Sequence, residues 1–499
     1  MNTLILLLPL LSAPDSSAAR EPVAVVREDL GEYERALRDP KGNGGREAVQ
    51  ALAKLATPEA WALIVEALAH PDARVADEAQ IALAELQDAE VLEQLFGKEG
   101  LGSKAGIVPL RVAEAFGRMT TTLDADELAK ALKAKSPDVR RALLWSIERQ
   151  APQGRIGGEP EKKLLGEVEK LSQKDKDDGV RGAALLAQCA LAPDSRAAIV
   201  RAAASDKAPE LRIAAVMAAS PLPNAERRAL VGALASDPLA RVRWTLSDVL
   251  AQSPDRDDAG ILVGMLETES VMRNAWHYTE LLQRLSGLRH RNDPRPWIDW
   301  QRGLPEDWEP SAHDAANDYG ERTAALVGMP ILSDRVCILI DLSGSTWEER
   351  DGKTRKQVLD VELRRALEAL PEGTEFNLIP YTNEPHPWKK ALVPATPKNV
   401  AQAIDWFEGV RQSGKGNFWG AWRLAVSDPA VDTVMALTDG APTGGDRWNL
   451  QLMGPLLEEN NRFRRVVLDA VIVDAKGRLL DYWTEMCAKT GGRMTPVQM

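Results

Sequence analysis

The chain is predicted to be a multidomain protein, an all-α solenoid followed by an α/β doubly wound domain. Three observations carry this expectation. A short phrase ending in Val-Arg or Leu-Arg recurs through the first half at spacings of about 30 to 40 residues. Composition then shifts, with eleven of the fourteen tryptophans lying beyond residue 270. Two continuous apolar runs in the second half each end in an aspartate followed by small residues. Strands of a parallel sheet buried on both faces read this way.

The 499 residues exceed what one ordinary core organises. Hydrophobic content of 44% and charged content of 27% fit a globular protein. The net charge of −12 argues against a nucleic-acid partner, which would call for clustered Lys and Arg. Leu4 to Leu11 is an apolar run too short to span a bilayer, and Ser16-Ser17-Ala18-Ala19 follows it. Residues 1–19 are expected to be a signal peptide, which implies a secreted or periplasmic protein without a membrane span. No Lys or Arg precedes the run. Cys189, Cys337 and Cys487 give no disulfide framework and no C-x-x-C pair, so each is expected to be a small buried hydrophobe.

Residues 28–255 hold the recurring phrase. Copies are Leu110-Arg111, Ser136-Pro137-Asp138-Val139-Arg140, Asp177-Asp178-Gly179-Val180-Arg181, Pro209-Glu210-Leu211-Arg212 and Asp237-Pro238-Leu239-Ala240-Arg241-Val242-Arg243. An earlier copy, Pro71-Asp72-Ala73-Arg74-Val75-Ala76, lacks the Arg at the matching place. The Asp or Pro turn should cap and start a helix whose Val and Leu face the stack. The Arg should bond neighbouring turn carbonyls or carboxylates and tie one repeat to the next. A helical hairpin cannot bury its own apolar face, so the copies should stack and offer a long surface to partners. The region resembles HEAT-type repeats. Residues 256–330, with Asn292-Asp293-Pro294, Trp297 and Trp300, are expected to cap the stack and lead into the second half.

In that half, Val336-Cys337-Ile338-Leu339-Ile340 reads as a strand ending in Asp341-Leu342-Ser343-Gly344-Ser345, with helical periodicity from Lys356 to Leu370. A second strand, Thr433 to Thr438, ends in Asp439-Gly440. Ligands of such sheets collect at the carboxyl ends of strands. Two carboxylates meeting there repel one another, and a divalent cation resolves the conflict. With Ser343 and Ser345 adding hydroxyls, the all-oxygen donor set selects Mg²⁺, with Mn²⁺ or Ca²⁺ as substitutes.

The Asp-x-Ser-x-Ser turn with a later Thr-Asp-Gly resembles the metal-ion-dependent adhesion site of von Willebrand factor A domains, over residues 334–499. The other elements follow the family's order: strand Phe376 to Pro380, helices Val400 to Val410 and Trp419 to Ser427, strand Arg465 to Asp474, and helix Leu479 to Thr490. The resemblance implies a Rossmann-like fold in which Asp341, Ser343 and Ser345 hold the ion, with Asp439 acting mostly through water. An acidic side chain of a protein partner would complete the shell. One departure stands out. The family usually places a Thr before an Asn in its second loop, whereas Ser413-Gly414-Lys415-Gly416-Asn417 has Gly416 there. Ser413 or Asn417 would have to substitute, and Lys415 could intrude on the ion.

Gly352-Lys353-Thr354 lacks the earlier glycine of a phosphate loop, and the five histidines are scattered. Of Trp347, Trp419, Trp422 and Trp448, near the ligand face, about two are expected to be partly exposed. The reading is of an exported, non-enzymatic protein-binding protein with the repeats as a second interaction scaffold. Alternatives are a cytoplasmic adaptor of an AAA-type ATPase, as in metal chelatases, and a metal-dependent hydrolase, which needs a general base at the ion.

Overall fold

The computed structural model describes residues 26–160, 162–311, 324–350 and 352–498. The expected leader over residues 1–19 lies outside them, as do residues 312–323 of the connecting segment.

The first half is helical, from Val26–Leu37 to Pro294–Arg302. Eight helices form its inner layer: α1 (Gly45–Leu55), α2 (Ala73–Ala82), α3 (Val108–Phe116), α4 (Pro137–Gln150), α5 (Asp178–Leu191), α6 (Pro209–Ala219), α7 (Ala240–Leu250) and α8 (Met272–Ser286). Each packs on the next in this series, and the helices between them form a second layer. Their starts follow from local chemistry. Ser136 caps α4 with Pro137 in its first turn, Asp177 accepts from the Val180 amide at 2.8 Å, and Pro209 opens α6.

The recurring arginines join these turns in sequence. Arg140 donates to the carbonyls of Ala134 and Lys135 and reaches Asp175 at 2.9 Å. Arg181 bonds the Ser172 carbonyl and Asp206 at 3.0 Å. Arg212 bonds the Asp206 and Lys207 carbonyls and grips Asp237 at 2.6 and 3.0 Å. Arg243 bonds the Asp237 carbonyl and Glu269, 2.9 Å from one carboxylate oxygen. Each guanidinium thus fastens its own turn and a carboxylate of the next. This series passes residue 255, because Glu269 precedes α8 and α8 packs on α7. The composition of 256–286 changes while the helical register does not. Pro294–Arg302 then closes the array, with Trp297 buried and set edge-on to Trp300, which meets Trp308 in the same way.

The second half is an α/β unit. Strands β1 (Arg335–Asp341), β2 (Glu375–Tyr381), β3 (Val393–Pro394), β4 (Thr433–Thr438), β5 (Val467–Val473) and β6 (Met494–Val497) form one sheet in the order β6-β5-β4-β1-β2-β3. All neighbours are parallel except β3, which is antiparallel to β2. Helices α9 (Arg355–Glu368) and α10 (Pro397–Glu408) cover one face through Leu359, Leu363 and Ile404. Helices α11 (Phe418–Ser427), α12 (Leu450–Asn461) and α13 (Arg478–Ala488) cover the other through Trp422, Met453 and Trp483. Cys337 on β1, Cys487 on α13 and Cys189 on α5 are free and buried.

The two halves interlock. Phe463, just after α12, belongs to the helical core, and Gly182 on α5 admits it: a Cβ there would lie 2.9 Å from the ring. Arg462 pairs with Glu148 through bonds of 2.7 and 2.8 Å. Arg241 and Arg273 of α7 and α8 donate to the carbonyls of Phe463 and Asp432. The inner helices therefore hold the α/β unit itself, where the sequence reading expects a face open to partners.

Replacing Arg212 with alanine leaves Asp237, whose side chain is 3% exposed, without its cation. We expect a loss of about 3 kcal/mol, read as a lower urea midpoint. Arg295→Ala, whose 85% exposed side chain pairs with Asp293 of its own turn, should leave the midpoint unchanged.

Candidate functional site

The carboxyl ends of β1 and β4 lie side by side because Ile340 is in register with Leu437. Asp341 ends β1, and Thr438 followed by Asp439 ends β4. The turn after β1 folds back as a short 3-10 helix, Gly344–Trp347, fixed by the Thr346 hydroxyl donating to the Asp341 carbonyl at 3.0 Å. This turn brings both serines to the strand ends. One Asp341 oxygen accepts from the Ser343 amide at 2.8 Å, and the other accepts from the Thr438 hydroxyl at 2.8 Å. The hydroxyls of Ser343 and Ser345 are 3.3 Å apart, and Ser345 donates to Asp439.

Asp341, Ser343, Ser345 and Asp439 are thus brought together, from loops 94 or more residues apart. Asp341 and Ser343 are buried, while the Asp439 side chain keeps 27% of its surface, leaving one corner open. Burial pushes the Asp341 carboxyl above the usual carboxylate range and the charge of Asp439 adds to this, against the hydrogen bonds from Ser343 and Thr438. The Tyr381 hydroxyl is buried beside Asp341 and Thr438, and burial with the charge of Asp341 pushes it well above the usual phenol range. Two carboxylates and two hydroxyls, with no nitrogen or sulfur donor, form a set of the kind that hard dications take. The residues fit the ion. Among the described residues no group of three or more His, Cys, Asp or Glu side chains is arranged for a metal.

The second loop differs from the sequence expectation. Asn417 does not turn toward the aspartates. Its side-chain oxygen caps α11 at the Gly420 amide, at 2.8 Å, and its amide donates to the Asn383 carbonyl. Ser413 is exposed and makes no hydrogen bond to either aspartate. Gly416 does lie at the site: a Cβ on it would stand 3.2 Å from an Asp341 oxygen. Lys415 points away from the aspartates, exposed and toward Asp72 of the helical half. Trp347 and Trp448 are half-buried, and Trp419 and Trp422 are buried.

Arg355, which opens α9, went unnoticed in the sequence because nothing local marks it. It donates to Asp474 at 2.8 Å and approaches Asp439 at 3.8 Å, giving the open side a fixed positive charge. Also unforeseen is how the third loop is held. Asp77 on α2 accepts the backbone amides of Trp448 and Asn449 at 2.6 and 2.8 Å. Its other oxygen pairs with Arg111 at 2.6 Å. Arg447 donates to Gln80 and Glu114 at 2.5 and 2.7 Å, and Arg111 to the Asp446 carbonyl at 2.7 Å. The Leu110-Arg111 copy of the repeat phrase therefore bonds across to the α/β unit instead of forward along the stack.

Relatives are found for part of the chain. Mouse inter alpha-trypsin inhibitor, heavy chain 4, is 30% identical over 145 residues, covering 27% of this chain and 14% of the relative. Human inter-alpha-trypsin inhibitor heavy chain H3 is 25% identical over 214 residues, covering 37% of this chain and 24% of the relative. The chain thus spans a quarter or less of these relatives' length. The solved von Willebrand factor type A structure from Catenulispora acidiphila is 16% identical, covers 34% of this chain and 40% of its own, and has a TM-score of 0.29. No family profile matches the chain.

Asp77→Ala leaves two buried guanidiniums, Arg111 and Arg447, short of one carboxylate. We expect a loss of about 3–5 kcal/mol and protease cleavage within residues 441–449 that the parent protein resists. The inter-alpha-trypsin inhibitor heavy chain relatives support a von Willebrand factor A domain in this chain.

Proposed function

We propose that this is an exported protein-binding protein whose von Willebrand factor A domain recognises a partner through a divalent cation, Mg²⁺ with Mn²⁺ or Ca²⁺ as substitutes. The observation that carries the reading is the meeting of Asp341, Ser343, Ser345 and Asp439 at one sheet edge, with Asp439 partly open. Bound there, the ion would offset the repulsion between the carboxylates and offer a free position to an acidic side chain of the partner. Asp341 and Ser343 supply fixed oxygens, Ser345 bridges to Asp439, and Arg355 holds Asp474 and leans on Asp439. The helical half, as a HEAT-like solenoid, serves as the frame that sets the third loop.

Binding, not catalysis, is the better reading of this geometry. Asp474, a further carboxylate nearby, is engaged by Arg355 at 2.8 Å, where a hydrolytic role would need a base free to meet water. Export is inferred from residues 1–19. Among the described residues no helix is long and apolar enough to cross a membrane. Fractionation of the full-length protein tests export, and recovery with the cytosol would favour an adaptor of a cytoplasmic ATPase.

Titration calorimetry with Mg²⁺ and Mn²⁺ should give a saturable heat that Asp341→Ala abolishes. Equal heats for the two proteins would remove the ion from the account. Gly416→Thr places a Cβ 3.2 Å from Asp341 and restores a hydroxyl to the second loop, so it should tighten Mg²⁺ binding roughly tenfold.

A further inference from the structure

The loop that sets Gly416 against Asp341 turns its neighbour Lys415 outward, into a cleft between the two halves of the molecule. The cleft has a volume of about 400 Å³ and is walled by Lys41, Asp72 and Arg74 on one side and by Asn383, Lys415 and Trp448 on the other. Its three cations come from three separate segments: the turn before α1, the first turn of α2, and the second loop of the α/β unit. Asp72 is the one carboxylate among these residues, and it is already engaged. It caps α2 at the Arg74 amide and is gripped by the Arg74 guanidinium at 2.7 and 2.9 Å. Lys41 and Lys415 are exposed, and their charges act on Asp39 and Asp72 respectively, helping to hold both carboxyls below the usual carboxylate range. In a chain of net charge −12, three cations against one lining carboxylate run against the whole. The walls are firm. Thr443 and Gly444 donate to the Gly416 carbonyl at 3.1 and 3.2 Å, the Gly416 amide donates to Thr443, and Arg46 lies 4.8 Å above the Trp448 ring.

We propose that this cleft binds an acidic peptide segment of the partner, beside the carboxylate that reaches the Asp341–Asp439 site. The proposal rests on the metal-site reading and adds to it a class of partner sequence. One carboxylate meets the ion, and its neighbours along an extended segment meet Lys415 and Lys41. Side chains on one face of such a segment recur about every 7 Å, and Lys415 adjoins Gly416 in the same loop. Because both halves build the cleft, neither half alone would carry the full specificity.

The test uses the intact protein and a fluorescein-labelled peptide of four Asp-Gly repeats, followed by anisotropy in Mg²⁺ and in EDTA. Lys41→Glu with Lys415→Glu should weaken binding in Mg²⁺ by at least tenfold. Lys390→Glu with Lys398→Glu, an equal change of net charge at exposed positions away from the cleft, should leave it within twofold. Three results would overturn the cleft: no binding of the peptide, equal loss in both double variants, or tighter binding of poly(U) than of the peptide. If EDTA and Asp341→Ala abolish binding while the cleft variant does not alter it, the metal-site reading stands and the cleft falls. If the cleft variant weakens binding that EDTA and Asp341→Ala leave intact, the cleft stands and the metal-site reading falls.

Discussion

A carboxylate with no exposed surface, that of Asp77, receives two backbone amides from the loop that follows Asp439, together with the guanidinium of Arg111. Burying such a charge is costly unless every oxygen is matched, and here each is. The consequence reaches the sheet edge. The loop between Asp439 and α12 cannot settle wherever β4 leaves it, because its far end is pinned to α2. Arg447, buried against Glu114 and Gln80, pins the same stretch to α3 as well. The position of Asp439 opposite Asp341 thus depends on helices more than 300 residues earlier in the chain.

Within the site, a balance of charge explains the departures in the second loop. Asn417 is committed to starting α11, and Gly416 brings bare backbone against the Asp341 carboxylate. The hydroxyl missing from Gly416 has a counterpart in Thr438, which donates to Asp341 from β4. Arg355 supplies positive charge on the Asp439 side. Asp341 is therefore held mainly by hydrogen bonds, and Asp439 by a serine and a distant guanidinium. The first is rigid and buried; the second retains freedom to meet something from outside.

What the sequence discloses is what repeats or lies close along the chain. Arg140, Arg181, Arg212 and Arg243 were legible as a series because each sits at the same place after a turn, and their bonding followed from that place. The loop Asp341 to Ser345 was legible because strand, turn and helix are contiguous. The bonds of Arg111, Arg447 and Asp77 were not, since their partners lie hundreds of positions apart and no local pattern marks them. The end of the array was misplaced for a related reason. Trp276, His277 and Tyr278 alter the composition of α8, yet its packing on α7 and the acceptor Glu269 keep the earlier geometry. Asn417 looked like a spare donor because capping roles depend on where a helix begins, which composition does not settle.

The arginine series also has a direction. Arg140, Arg181, Arg212 and Arg243 each reach a carboxylate that comes later in the chain, 25 to 35 positions on. During synthesis each cation therefore emerges before its acceptor and waits in water, where it is well hydrated, until the following turn arrives. Within this series no acceptor of the next turn is made ahead of its cation, whereas Asp77 precedes Arg111. The array can grow from its N-terminal end one unit at a time, each unit fastened only when its successor has been made.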